Sequence, residues 1–111
     1  MSDSQRMMKF GVNYIGELKN ALDHFPLSEV EKLANLLYVN AGKSLVFIIG
    51  NGGSAATASH LATDLGVGSL RRLNPVRSVS LSENQAVITA TSNDLNFKFI
   101  FSEQIRLLGD R

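Results

Sequence analysis

Residues 45–54 read LVFIIGNGGS, five apolar side chains running directly into three glycines, an asparagine and a serine. The run Leu45-Val46-Phe47-Ile48-Ile49 is short, β-prone and without alternation, which predicts a strand covered on both faces, as in a parallel sheet. From Ser54 to about Leu65 the chain holds good helix formers and no Gly or Pro, which predicts a helix. A strand that turns at once into a helix leaves first-turn amides without helical partners, and the positive end of the dipole faces outward. Glycines let such a backbone approach a ligand without a Cβ in the way. The turn therefore reads as an anion site, with the Ser54 hydroxyl either capping the helix or bonding a phosphate oxygen. The plainer alternative is a left-handed turn with an ordinary serine cap.

The flanking sequence supplies the frame. Apolar residues at Phe10, Tyr14, Ile15, Leu18, Leu22 and Phe25 recur at spacings of three and four, which predicts an amphipathic helix over 7–25, ended by Pro26. Ser28 and Glu31 have the spacing of a capping box. The helix they open would bury Val30, Leu33, Ala34, Leu36 and Leu37 and close at Gly42. Residues 66–75 read as a loop and Val76–Leu81 as a second strand, with Val79 and Leu81 on one face. A helix from Gln85, broken at Asn93-Asp94, and a last one over FKFIFSEQIRLLG complete an α/β order with a right-handed βαβ crossover at its centre. The expected parts are a helical hairpin at about 7–41, a βαβ core at about 44–82 and a helical segment at about 84–109. Two parallel strands are a marginal sheet, so the remaining layer is expected from a larger fold or from another chain.

Gly50, Gly52 and Ala55 fit the loose dinucleotide form G-x-G-x-x-A, but that fingerprint needs an acidic residue about 20 positions on. Glu83 lies too far along and Asp64 too early. No G-K-[ST] follows the turn, so a nucleoside-triphosphate loop fits worse still. His60 and Asp64, at i and i+4, share one face of the helix that begins at the glycine turn. Such a pair can coordinate a metal or divide acid and base work, or it can be a hydrogen-bonded surface pair. His60 lies roughly 9 Å along the axis from Ser54, a distance that suits a small phosphorylated metabolite. His24 reads as a solvated loop residue, Arg71, Arg72 and Arg77 as a small basic patch on a loop, and Glu103 with Arg106 as a surface pair.

The stretch GNGGSAATASHLATDL at 50–65 closely resembles the signature of the sugar isomerase (SIS) domain and, within it, of the phosphoheptose isomerases. The resemblance extends over nearly the whole chain, through the two leading helices, the second strand ending in Ser82 and the SNDLNF segment at 92–97. It implies a doubly wound parallel sheet flanked by helices. Residues 1–111 would be the N-terminal portion of one such domain, truncated after the second strand and its following helix. The activity it implies is conversion of sedoheptulose 7-phosphate into a heptose 7-phosphate, a ketose–aldose isomerisation that feeds lipopolysaccharide precursors. In such enzymes the positions matching Asn51, Gly52, Gly53, Asn93 and Asp94 contact substrate. Those matching His60 and Asp64 bind zinc, and the latter is also linked to proton transfer. The family usually carries Glu where this chain has Asp64, and its second phosphate segment and remaining metal ligands would lie beyond residue 111.

The totals agree with a sugar-phosphate protein more than with a polyelectrolyte binder. Eleven basic and ten acidic residues leave a net charge of +1 in 111 residues, which implies no pull toward nucleic acid or a membrane surface. The chain has no cysteine, so disulfides and thiolate metal sites are excluded. No apolar run approaches a membrane span. The expectation is a cytoplasmic protein that self-associates, as the resemblance implies, into a homotetramer with sites between subunits. A second expectation, of another class, is a non-catalytic SIS module that binds a phosphosugar or associates with a replication initiator.

Overall fold

The computed structural model describes residues 2–109. In chain order it contains α1 (Asp3–Asp23), α2 (Leu27–Asn40), β1 (Leu45–Ile48), α3 (Gly53–Ser69), β2 (Arg77–Ser80), α4 (Gln85–Asp94), a 3-10 turn (Phe97–Phe99) and α5 (Ser102–Leu108). The chain divides into two compact units, one ending at Asn35 and the other beginning at Leu36.

In the first unit, α1 starts earlier than the apolar stripe predicts, because a cap and not the stripe decides where a helix begins. Ser2 Oγ accepts the Gln5 N–H at 3.3 Å, and Gln5 Oε1 accepts the Ser2 N–H at 2.8 Å. The capping box expected at Ser28–Glu31 does not form. The Pro26 carbonyl accepts the amides of Glu29 and Val30 instead, so α2 is already under way at Leu27 and Ser28 lies inside its first turn. The expected burial of α2 is also absent: Val30, Leu33 and Leu36 remain exposed. An amphipathic stripe is buried only when a further layer closes over it.

The second unit is built on two short strands. β1 and β2 pair in parallel, from Leu45 opposite Arg77 to Ile48 opposite Ser80. The Leu81 N–H donates to the Ile48 carbonyl at 3.0 Å and carries the pairing one residue further. α3 packs on both strands, and its buried residues are the small Ala58 and Ala62. Small side chains let the helix backbone come close enough for Ser78 Oγ to donate to the Ala62 carbonyl at 2.7 Å. The same closeness explains why α3 runs to Ser69 rather than stopping near Leu65. A Cβ on Gly66 would stand 3.2 Å from Ser78 Oγ, so contact with β2 holds a helical turn that glycine disfavours by about 1 kcal/mol.

β1 is half-buried along its whole length rather than covered on both faces. Two strands with short helices offer little surface to close over it. The final helical stretch is split, because the Asn96 side chain accepts the Lys98 N–H at 3.0 Å and tightens Phe97–Phe99 into a 3-10 turn before α5 begins. Among the described residues the buried apolar side chains are Ala58, Ala62, Leu81 and Ile100. α5 joins this cluster through Gln104, whose Nε2 donates to the carbonyls of Leu81 at 3.0 Å and Ile100 at 2.7 Å. Among the described residues no helix is long and apolar enough to cross a membrane.

Gln104 is buried, so Gln104→Leu would leave the Leu81 carbonyl without its partner. The expected outcome is a loss of about 1–3 kcal/mol, read from the urea midpoint of unfolding followed by circular dichroism.

Candidate phosphate-facing site

The two parallel strands end side by side, and the segments that leave their carboxyl ends meet. This is where open α/β sheets hold ligands. From β1 the chain enters the glycine turn. A Cβ on Gly50 would lie 2.2 Å from the Ser54 carbonyl oxygen, so no side chain fits at that position. Gly52 is the N-cap of α3, with φ +56° and ψ −126°, a backbone that side-chain-bearing residues rarely adopt. Ser54 lies in the first turn and does not cap the helix, because Gly52 already occupies the cap position without a side-chain bond. The Ser54 and Ala55 amides donate to the carbonyls of Asn51 and Gly52 at 3.0 and 3.1 Å. Among the described residues, the turn amides with no hydrogen-bond partner are therefore those of Asn51, Gly52 and Gly53. Asn51, Gly52, Gly53 and Ser54 are all exposed.

From β2 comes Ser82, which the reading of the sequence had not singled out as a site residue. Its hydroxyl accepts the Gly50 N–H at 3.2 Å and donates to the Gly50 carbonyl at 2.8 Å. The clue available beforehand was positional: a hydroxyl just past the end of the second parallel strand faces whatever leaves the first.

His60 and Asp64 do lie together on α3, with His60 Nε2 3.8 Å from Asp64 Oδ1. Their side chains are 80% and 64% exposed, so the pair contributes about 0–1 kcal/mol to stability and is open to other partners. Two ligand atoms on a tetrahedral zinc stand roughly 3.3–3.4 Å apart. At 3.8 Å the pair stands a few tenths of an ångström wider than that, and its imidazole and carboxylate are of the donor types zinc takes. Among the described residues no group of three or more His, Cys, Asp or Glu side chains could hold a metal. Asn93 and Asp94 fall at the end of α4, where Asn93 Nδ2 donates to Asp94 Oδ1 at 3.0 Å. Among the described residues no hydrogen bond ties either one to the glycine turn. Of the residues expected in the site, Asn51 to Ser54 thus form one surface with the start of α3. His60 and Asp64 lie further along that helix, and Asn93 and Asp94 belong to a separate element.

His24 Nδ1 approaches the Asn20 carbonyl at 2.8 Å at the end of α1, and Arg106 pairs with Glu103 on α5. A groove of about 400 Å³ lies between α3 and β2, bounded by Ala62, Gly66, Val67, Val76 and Ser78.

No protein-family model matches the chain. A phosphoheptose isomerase of Thermodesulfovibrio yellowstonii is 36% identical over 85 residues, 76% of this chain and 41% of that protein. One of Syntrophotalea carbinolica is 33% identical over 103 residues, 87% of this chain and 52% of that protein. The solved structure of a phosphoheptose isomerase from Neisseria gonorrhoeae matches with a TM-score of 0.71 at 25% identity, over 97% of this chain and 55% of that one. Strand order, glycine turn and these likenesses define a portion of a SIS-type α/β domain. The chain spans about half the length of the curated relatives it matches. Within that class it is phosphoheptose isomerase-like.

The two glycines make separable demands on the turn. Gly50→Ala, which drives a Cβ into the Ser54 carbonyl, should cost more than Gly52→Ala, which meets open space and carries only the positive-φ backbone strain of about 1–3 kcal/mol. Urea unfolding of the two variants side by side checks the order.

Proposed function

We propose that the chain is the phosphosugar-holding portion of a phosphoheptose isomerase, interconverting sedoheptulose 7-phosphate and D-glycero-D-manno-heptose 7-phosphate. The observation that carries this reading is the glycine turn. It leaves the carboxyl end of a parallel strand, keeps the Asn51, Gly52 and Gly53 amides without a partner among the described residues, and opens the helix that also bears His60 and Asp64. The likeness to phosphoheptose isomerases over most of this chain supports the choice of substrate.

In this reading the amides of the turn, with Asn51 and the free hydroxyl of Ser54, hold the phosphate at the positive end of α3. The sugar then extends along the helix toward His60 and Asp64, roughly 9 Å away along the axis. Ketose–aldose isomerisation removes a proton from the carbon bearing the hydroxyl beside the carbonyl. The enediol that results takes a proton at the neighbouring carbon, while the hydroxyl proton passes between the two oxygens. The Asp64 carboxylate accepts and returns the carbon-bound proton. Zinc held by His60, Asp64 and ligands from outside this set would polarise the carbonyl as a Lewis acid. Asn93 and Asp94 would bond to the sugar hydroxyls. The assembly we infer is a cytoplasmic homotetramer; the apolar stripe of Phe10, Tyr14, Leu18 and Leu22, exposed along α1, is what supports self-association.

Asp64→Asn in the full-length protein tests the assignment. Isomerisation should fall by about 10²–10⁴-fold, measured as product formed from sedoheptulose 7-phosphate, while the affinity for that sugar phosphate by calorimetry stays within about threefold. Wild-type turnover in the variant would remove Asp64 from the chemistry. Sugar-phosphate binding without turnover in the unmodified protein would instead favour the non-catalytic module.

A further inference from the structure

Gly50 is held from two sides. On one side the Ser54 carbonyl leaves no room for a Cβ; on the other the Ser82 hydroxyl takes both backbone groups of the same residue, accepting its N–H and donating to its C=O. Ser82 is in turn placed by its neighbours. Its own N–H donates to Ser80 Oγ at 3.2 Å, and Ser80, buried at 5% exposure, also accepts the Ser59 hydroxyl of α3 at 3.3 Å. A hydroxyl network therefore runs from the residue beside His60, through β2, to the first residue of the glycine turn. The turn and the sheet-facing side of α3 at Ser59 are thus both referred to one buried serine, Ser80.

We infer that Ser82 is a positioning residue for sugar-phosphate binding: it touches no ligand, and it holds the Gly50 peptides so that the unpartnered Asn51, Gly52 and Gly53 amides stay available in the turn. The inference rests on the phosphosugar reading of the turn. Physically, removing the hydroxyl releases two hydrogen bonds to a glycine, the residue with the most conformational freedom to lose. The ligand must then order the turn itself, and affinity falls by the share of molecules in which the turn is already formed.

A matched control exists in the same unit. Ser69 Oγ also accepts one backbone N–H, from Val76 at 2.8 Å, and donates to one carbonyl, of Gly66 at 3.1 Å, but at the far end of α3. The experiment compares Ser82→Ala, Ser82→Thr and Ser69→Ala in the full-length protein. It reads the amide resonances and hydrogen exchange of residues 50–53 without ligand, and the affinity for sedoheptulose 7-phosphate by calorimetry. The expected result is faster exchange in the turn and about tenfold weaker binding for Ser82→Ala, equivalent to the loss of one ordinary hydrogen bond. Ser82→Thr should restore both within about threefold, and Ser69→Ala should change neither. Unchanged turn amides and affinity in Ser82→Ala would overturn the inference. So would equal weakening by Ser69→Ala, because that is the signature of general destabilisation. If the unmodified protein does not bind the sugar phosphate, the phosphosugar reading falls, and with it a ligand role for Ser82. Exchange at the turn would still say whether Ser82 shapes it.

Discussion

The contact between Gly50 and the Ser54 carbonyl is the constraint on which the rest of this unit depends. A backbone that turns so sharply after a strand can begin a helix directly above the strand's end, and nothing larger than hydrogen can occupy the inner corner. Because α3 starts there, its Ala58 and Ala62 come down on the sheet, Ser78 of β2 donates to the Ala62 carbonyl, and Ser59 of α3 donates to Ser80 of β2. Because β1 ends there, the residue leaving β2, Ser82, meets the same glycine. The turn is therefore both the corner of the packing and the place where amides are left without partners. Packing and ligand chemistry draw on the same few peptide groups.

Within each unit the apolar surface is only partly used. α1 carries a regular stripe in which Phe10 and Tyr14 stack one turn apart, at 6.4 Å between ring centroids, yet none of its residues is buried. In the second unit the apolar residues Val67, Leu70 and Leu73 of α3 and the loop after it are also exposed. Exposed apolar area of this extent is costly to leave in water, at about 25 cal/mol per Å².

Much of the site was legible from residue order. The unbroken run from Leu45 to Ile49, the glycines after it and the i, i+4 spacing of His60 and Asp64 are local patterns. Local patterns specify strand, turn and shared helix face without reference to the rest of the chain. What was misread depended on distant partners. The helix stop near Leu65 followed glycine's intrinsic preference, and contact with Ser78 overrode it. The capping box at Ser28 was a correct spacing in the wrong place, because Pro26 had already started the helix. Burial of Val30 and Leu33 was inferred from periodicity, which says which side of a helix is apolar but not whether anything covers it.

The sequence by itself determined the class of fold, through the order of its apolar patterns along the chain, and the position of the glycine turn and the residue types that follow it on α3, which are encoded by near neighbours. Only the tertiary structure decided which amides of the turn remain free, that Ser54 does not cap its helix, and that Ser82 grips Gly50 across 32 residues of chain. The first two follow from the backbone of the turn, where Gly52 takes the cap position and the Ser54 and Ala55 amides bond three residues back; the third follows from the sheet. A backbone hydrogen bond between distant segments exists only once two strands have paired in register, and the pairing of β1 with β2 is a property of the folded unit.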